Sequence, residues 1–182
     1  LSKRAAELEY PIYVKPVKAG SSFGISRITS PEQLPQAAEK AFEFDNEITL
    51  EEEIPGREVG CAVLGAEKLI LGRVDLIQSP GLFDYNEKYN PKESKIYMPA
   101  PIAPELEERI QQTAAVLYRL LGCSGFARVD MFLTPQNQIV FNEINTIPGL
   151  TAHSRFPNMM KGAGLELKEV MRVLIELSLK NE

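Results

Sequence analysis

The chain has 182 residues, 44% of them hydrophobic, and a formal net charge of −5. That length can bury the core of one domain or of two small lobes sharing a seam. With no basic run and no Trp, the composition argues against a dedicated nucleic-acid or membrane-surface protein, and no apolar run reaches the ~20 residues that span a bilayer.

No signal peptide is visible. Cys61 and Cys123 lie far apart in apolar contexts, which reads as two buried free thiols in a reducing cytoplasm rather than a disulfide. Leu1 to Glu9 reads as the tail of a helix, so the expectation is a piece of a longer protein.

Tyr10 to Pro16 is a predicted strand, rich in β-branched and aromatic residues and bounded by prolines. Lys15, near its end, is either an exposed edge lysine or a cation reaching into a cleft. Val17 to Gly24 brackets Ser21 and Ser22 with Gly20 and Gly24 ahead of a short strand, Ile25 to Ile28. Such a turn can offer backbone N–H groups and hydroxyls to an anion, or it can be an ordinary hairpin turn. It is not a Walker motif, because no Gly-Lys-Ser/Thr follows.

Ser30, Pro31 and Gln33 form a helix start with a capping box, and the helix runs to about Phe44. Glu47 to Glu53 and Glu58 to Leu64 are strands flanking a turn at Ile54 to Arg57. Glu51 and Glu58 either stand in water or hold an adenine amine and ribose hydroxyls at a cleft. Leu69 to Gln78 is a further strand. Ser79 to Lys95 is a long polar loop carrying Phe83, Tyr85, Lys88 and Tyr89. Its length and aromatic content suit a lid.

Pro104 to Leu121 is an amphipathic helix with Leu106, Ile110, Ala114, Leu117 and Leu121 on one stripe, and Gly122 ends it. Arg128 to Leu133 and Gln138 to Asn145 are predicted to pair as a hairpin. Side chains repeat with period two on a strand, so Glu143 and Asn145 share a face, and pairing brings Asp130 to it. Three hard oxygen donors beside Arg128 suit Mg²⁺ bridging phosphates; a solvated acidic hairpin fits the same spacing. After the Pro148-Gly149 turn, Thr151 to Ser154 leads into a short helix near Pro157 to Lys161. His153, the only histidine, reads as a structural turn residue. Leu165 to Leu179 is a last helix with Leu167, Val170, Leu174, Ile175 and Leu177 as its core positions.

Taken together, VKPVKAGSSFG (14–24), EEEIPGRE (51–58), FDYNEKY (83–89), GFARVDMF (125–132) and NEINTIPGLTAHS (142–154) resemble the D-alanine–D-alanine ligases and their vancomycin-resistance relatives, within the ATP-grasp superfamily. The resemblance covers nearly the whole chain. It implies an α+β (α/β) ATP-grasp fold of two lobes with mostly antiparallel sheets. Residues 1–58 would be an incomplete central lobe and 59–182 a C-terminal lobe with its lid at 79–95, the N-terminal substrate domain being absent. It further implies a cytoplasmic, Mg-ATP-dependent ligase of peptidoglycan precursor synthesis, homodimeric in its full-length form, acting on D-alanine and a second D-amino acid, with no nucleic-acid or membrane partner.

By that likeness, Lys15 contacts ATP phosphates, Ser21 and Ser22 form the phosphate flap, and Glu51 accepts from the adenine amine. The backbone around Glu52 and Ile54 reads the ring edge, and Glu58 holds the ribose. Asp130, Glu143 and Asn145 bind two Mg²⁺ ions, with Mn²⁺ able to substitute, and Asn142 belongs to the nucleotide site. Lys88 reaches the γ-phosphate, and Tyr89 joins Ser21 near the first substrate. Arg128 and the Gly149 N–H form an oxyanion site, and Ser154 takes the second substrate's carboxylate. Lys88-Tyr89 is the lid pattern of amino-acid-using ligases, which favours an amine acceptor over D-lactate. D-alanine is placed ahead of D-serine because that family is larger; the alternatives are another ATP-grasp carboxylate–amine ligase or an idle nucleotide-binding module. SKIYMPA (94–100), FARVDMF (126–132) and SRFPNMMKGAG (154–164) resemble the D-serine-using resistance branch. With the first subsite incomplete, this piece alone is expected to fold but to have little ligase activity.

Overall fold

The structure, a computed structural model, describes residues 2–20, 22–78 and 95–180. They form two compact units. One ends at Ile54; the other holds Pro55–Gln78 and resumes at Lys95.

The first unit is a three-stranded antiparallel sheet with helices on one face. After the short helix α1 (Ser2–Ala5) come β1 (Ile12–Pro16) and β2 (Ser26–Ile28), then a 3-10 turn (Pro31–Gln33), α2 (Leu34–Phe42) and β3 (Ile48–Glu52). The strand order is β2-β1-β3. Strand β1 alternates buried and half-buried positions along its length, the period-two signature of a sheet with one covered face. Ile12, Val14 and Ile28 meet Leu34, Ala37 and Ala41 of α2, so Tyr13 and Lys15 stand on the opposite face. Gln33 Oε1 accepts from the N–H groups of Thr29 (2.7 Å) and Ser30 (3.3 Å), which realises the backward half of the predicted capping box. The helix tail expected to reach Glu9 stops at Ala5.

The second unit is a five-stranded antiparallel sheet between helices. Its elements are β4 (Arg57–Gly65), β5 (Leu69–Gln78), β6 (Lys95–Tyr97), α3 (Pro104–Leu120), β7 (Gly125–Leu133), β8 (Ile139–Asn145), α4 (Arg155–Gly162) and α5 (Leu167–Lys180). The strand order is β6-β5-β4-β7-β8. Val59, Cys61, Val63, Val74, Val129 and Met131 face α3. Ala62 and Leu64, on the other face of β4, pack on Phe156, Met159 and Met160 of α4 and Val170 of α5. Tyr118 closes the first core layer, its hydroxyl donating to the Gly65 carbonyl at 2.8 Å.

Several expectations shift. Strand β7 begins at Gly125, before Arg128, and Lys95, assigned to the loop, opens β6 instead. Leu121 is 52% exposed because α3 ends at Leu120, and Ile175 is 56% exposed on the outer side of α5; Val173 packs on the core beside Leu174. Cys61 is buried and free, whereas Cys123 is only half-buried. No described helix is long and apolar enough to cross a membrane.

Candidate nucleotide and metal site

In the first unit, the open face of the three-stranded sheet is built from charged pairs. Lys15 Nζ donates to Glu51 Oε2 at 2.5 Å and sits 5.8 Å from the centre of the Tyr13 ring. The strand register pairs Tyr13 with Glu51 and Lys15 with Thr49, so this ion pair is a diagonal one across β1 and β3. Beside it, Arg27 grips Glu53 through two bonds of 2.7 and 2.8 Å, and the Tyr13 hydroxyl donates to the same carboxylate at 3.1 Å. The Arg27 guanidinium holds the Glu53 carboxyl below its usual range. Burial, then the hydrogen bond to Glu53, pushes the Tyr13 phenol up. Glu52 points elsewhere, its Oε1 accepting from the Glu9 N–H at 2.8 Å. Ser22 takes a left-handed backbone, φ 60°, in the turn where the Phe23 N–H reaches the Gly20 carbonyl at 3.2 Å. Ile54 is half-buried at the end of this unit.

In the second unit, four strands lay a polar row across one face of the sheet. The registers align Asp75 of β5 with Gly60 of β4, Gly60 with Asp130 of β7, and Asp130 with Glu143 of β8. The next pair, Arg128 and Asn145, stands beside it. The predicted hairpin thus forms, and Asp130, Glu143 and Asn145 share a face. A bulge opposite Asp130 and Met131 makes this so: Glu143 pairs with Asp130 and Phe141 with Met131, leaving Asn142 out of register. Arg128 binds Asp130 through Nε (2.9 and 3.0 Å) and Nη2 (2.7 Å).

A second guanidinium completes the cluster. Arg155, the first residue of α4, reaches Asp75 with two bonds of 2.7 and 2.8 Å, Glu58 at 3.2 Å and Asp130 at 3.3 Å. Its side chain is 11% exposed, and those of Asp75 and Asp130 are 1% exposed. Burial alone pulls the Arg155 guanidinium down; Asp130, Asp75 and Glu58 outweigh this and hold it above its usual range. Gly60 leaves the space, since a Cβ there lies 2.5 Å from Arg155 Nη2 and 2.9 Å from a carboxylate oxygen of each Asp. Arg155, Asp75 and Gly60 are absent from the sequence-derived set. The signals were a lone acid and a lone glycine inside apolar strands, which mark a buried partner and a close approach.

Ser154 and Gly149 are neighbours: a Cβ on Gly149 would lie 2.7 Å from Ser154 Oγ, and that hydroxyl pairs with Thr151 Oγ1 at 2.8 Å and accepts from the Thr151 N–H at 3.2 Å. His153 is exposed in the same turn. Ser21, Lys88 and Tyr89, with the lid aromatics Phe83 and Tyr85, lie outside the described residues.

Among the described residues no three His, Cys, Asp or Glu side chains group to hold a metal by themselves. Asp130 and Glu143 with the Asn145 amide oxygen nevertheless make a hard-donor set that fits Mg²⁺. Two guanidinium groups contact the carboxylates of Glu58, Asp75 and Asp130, and Glu143, in register with Asp130, adds a fourth carboxylate, which leaves negative charge over for a cation.

Helix-backed antiparallel sheets with acids, an Arg and an Asn in register on one strand floor define an α+β fold of the ATP-grasp kind. A family model described as D-ala D-ala ligase C-terminus matches residues 1–176, and the chain belongs to that family. It is 44% identical over 182 residues to the vancomycin/teicoplanin A-type resistance protein VanA of Enterococcus faecium, covering 97% of this chain and 53% of that protein. It is 42% identical over 177 residues to D-alanine–D-alanine ligase A of Escherichia coli, covering 96% of this chain and 49% of the relative. The crystal structure of the VanG D-Ala:D-Ser ligase from Enterococcus faecalis superposes with a TM-score of 0.88 at 58% identity, covering 96% of this chain and 51% of that one. The chain spans about half the length of the curated relatives it matches.

Proposed function

We propose that the protein carrying this chain is an ATP-dependent ligase that joins D-alanine to a second D-amino acid for peptidoglycan precursors. The observation that carries this is the floor of Arg128, Asp130, Glu143 and Asn145 in register across β7 and β8, inside a chain of the D-alanine–D-alanine ligase C-terminal family. The unit that ends at Ile54 belongs to the central lobe of the ATP-grasp unit, and the one that starts at Pro55 to its C-terminal lobe. The curated relatives are about twice the length of this chain, and on this reading the 182 residues alone turn over little substrate.

Lys15 steadies ATP phosphates, and Glu51, its salt-bridge partner, accepts from the adenine amine. The backbone at Glu52 and Ile54 reads the ring edge, Glu58 holds the ribose, and Ser21 and Ser22 cover the phosphates. Asp130, Glu143 and Asn145 would hold two Mg²⁺ ions, with Asn142 beside them. Those ions supply charge neutralisation during phosphoryl transfer, which depends on positioning more than on covalent help. Lys88 meets the γ-phosphate from the lid, and Tyr89 with Ser21 orients the first D-alanine. Its carboxylate takes the γ-phosphate, with ADP leaving, to give an acylphosphate; the second amine attacks the acyl carbon, loses a proton, and phosphate leaves. Arg128 and the Gly149 N–H stabilise the oxyanion, and Ser154 binds the acceptor's carboxylate.

The 58% identity to a D-Ala:D-Ser ligase supports D-serine as acceptor over the D-alanine expected from the sequence. The test is phosphate release from ATP by the native protein with D-alanine alone, with D-serine added and with D-lactate added, products identified by mass. D-Ala–D-Ser as main product is the expected result. D-Ala–D-Ala as main product would replace the acceptor and keep the ligase; no release with any substrate would overturn the ligase itself.

A further inference from the structure

Arg155 ties the expected ribose contact, Glu58, to the expected metal ligand, Asp130. Its guanidinium lies between carboxylates of three adjacent strands: Glu58 of β4, Asp75 of β5 and Asp130 of β7. Asp75 anchors it through a bidentate pair and is itself 1% exposed. The remaining N–H groups then face Glu58 and Asp130. A planar fork with five donors suits this sharing, and an ammonium does not. The glycine at 60 is the space this arrangement needs, because any β-carbon there collides with the Arg155 fork.

We propose that Arg155 is a positioning residue for the metal–nucleotide floor: anchored by Asp75, it sets Asp130 and Glu58 where a divalent cation and a ribose meet them. Arg155 touches neither ligand; it acts through the two carboxylates. This rests on the ATP-dependent function proposed above. Without Arg155, three carboxylates crowd one buried spot, and like charges at such a distance repel strongly in a low-dielectric setting. Glu58 and Asp130 would move apart, which takes oxygen donors away from where they are needed. Groups that hold metal ligands in place typically contribute about 10–100-fold in metal affinity.

The experiment measures Mn²⁺ binding in the presence of ADP, by electron paramagnetic resonance, on the native protein and on Arg155→Met, Arg155→Lys and Asp75→Asn. Folding is checked by circular dichroism and Tm. The expected result is Mn²⁺ binding weakened about tenfold or more in Arg155→Met, less in Arg155→Lys, and severalfold in Asp75→Asn, which touches no ligand. A merely structural role would lower Tm and leave the Mn²⁺ affinity of the folded protein unchanged. Unchanged or tighter Mn²⁺ binding by Arg155→Met would overturn the proposal, because Arg155 would then only neutralise surplus charge. Should Arg155→Met fail to fold, the same two results from Asp75→Asn decide. If the native protein itself binds no Mn²⁺ with ADP, the ATP-dependent function fails and this proposal falls with it.

Discussion

The three-stranded sheet wears its charges at the surface, and the five-stranded sheet buries them. Lys15 and Glu51 keep 23% and 48% of their side chains exposed, and Arg27 and Glu53 keep 43% and 29%. Arg155 and Asp75 keep 11% and 1%. Water screens the first set, so each pair adds little to stability and can exchange its partner for a ligand at small cost. The second set has surrendered its hydration, and only mutual pairing makes it tolerable. One sheet therefore offers charges, while the other fixes the geometry of a floor.

Breaking the buried side gives the largest effect. Asp75→Leu removes the anchor and leaves Arg155 short of a counter-ion, which costs about 3–5 kcal/mol, read from urea unfolding. A loss under about 1 kcal/mol, the ordinary yield of an exposed pair, would erase the distinction between the sheets. Gly60→Ala comes next. Its Cβ would sit 2.5 Å from Arg155 Nη2, and overpacking of that kind costs about 1–3 kcal/mol. The same variant shifts Asp130 and weakens metal binding, whereas Gly122→Ala, with open space around its Cβ, strains only its own backbone.

The two sheets also differ in how much of them the sequence discloses. Period-two alternation foretells that Glu143 and Asn145 share a face; Asp130 joins them because the bulge shifts the β7–β8 register by one residue. The bulge that leaves Asn142 out of register is invisible, because it depends on how β8 meets β7 rather than on either strand alone. Lys15 and Glu51 are both legible as site candidates, but their pairing is a diagonal contact set by the β1–β3 register. Arg155 reads as a polar residue at a helix start, and nothing local announces that it turns inward. The three acids it meets lie 97, 80 and 25 residues away in sequence, which is a distance that composition and period do not cover. Helix edges mislead in the same way. Ile175 fits the apolar stripe of α5, yet the sheet it packs on is reached by Val170, Val173 and Leu174.

A pH titration sharpens the comparison in the middle range. The Glu53 carboxyl is held down by Arg27, then by Tyr13. A carboxyl with a lowered folded-state pKa adds stability above its unfolded value, about 4.3, and loses it as pH falls through the folded one. Glu53→Gln should therefore flatten the acid limb of the stability curve below about pH 4 and change little at neutral pH. Tyr118 works at the opposite end. Burial, then the charge of Cys123, pushes its phenol up to about 12, so the stability it contributes is intact below about pH 10 and is lost as pH rises toward 12. In Tyr118→Phe that alkaline loss should vanish from the unfolding curve, while the missing bond to the Gly65 carbonyl costs about 1 kcal/mol at neutral pH.

The smallest stability effect belongs to Lys15→Met, and it carries the comparison furthest. The Lys15–Glu51 pair is partly solvated, and Lys15 keeps the Tyr13 ring as a neighbour for an apolar replacement. Unfolding free energy should change by less than about 1 kcal/mol. ATP binding should fall far more, because no other described cation pairs with Glu51 on that face. Stability that barely moves while nucleotide affinity drops at least tenfold is the signature of a charge kept for a ligand rather than for the fold. If Lys15→Met instead destabilises the chain by several kcal/mol, as Asp75→Leu is expected to do, the open face is structural and the contrast between the two sheets collapses.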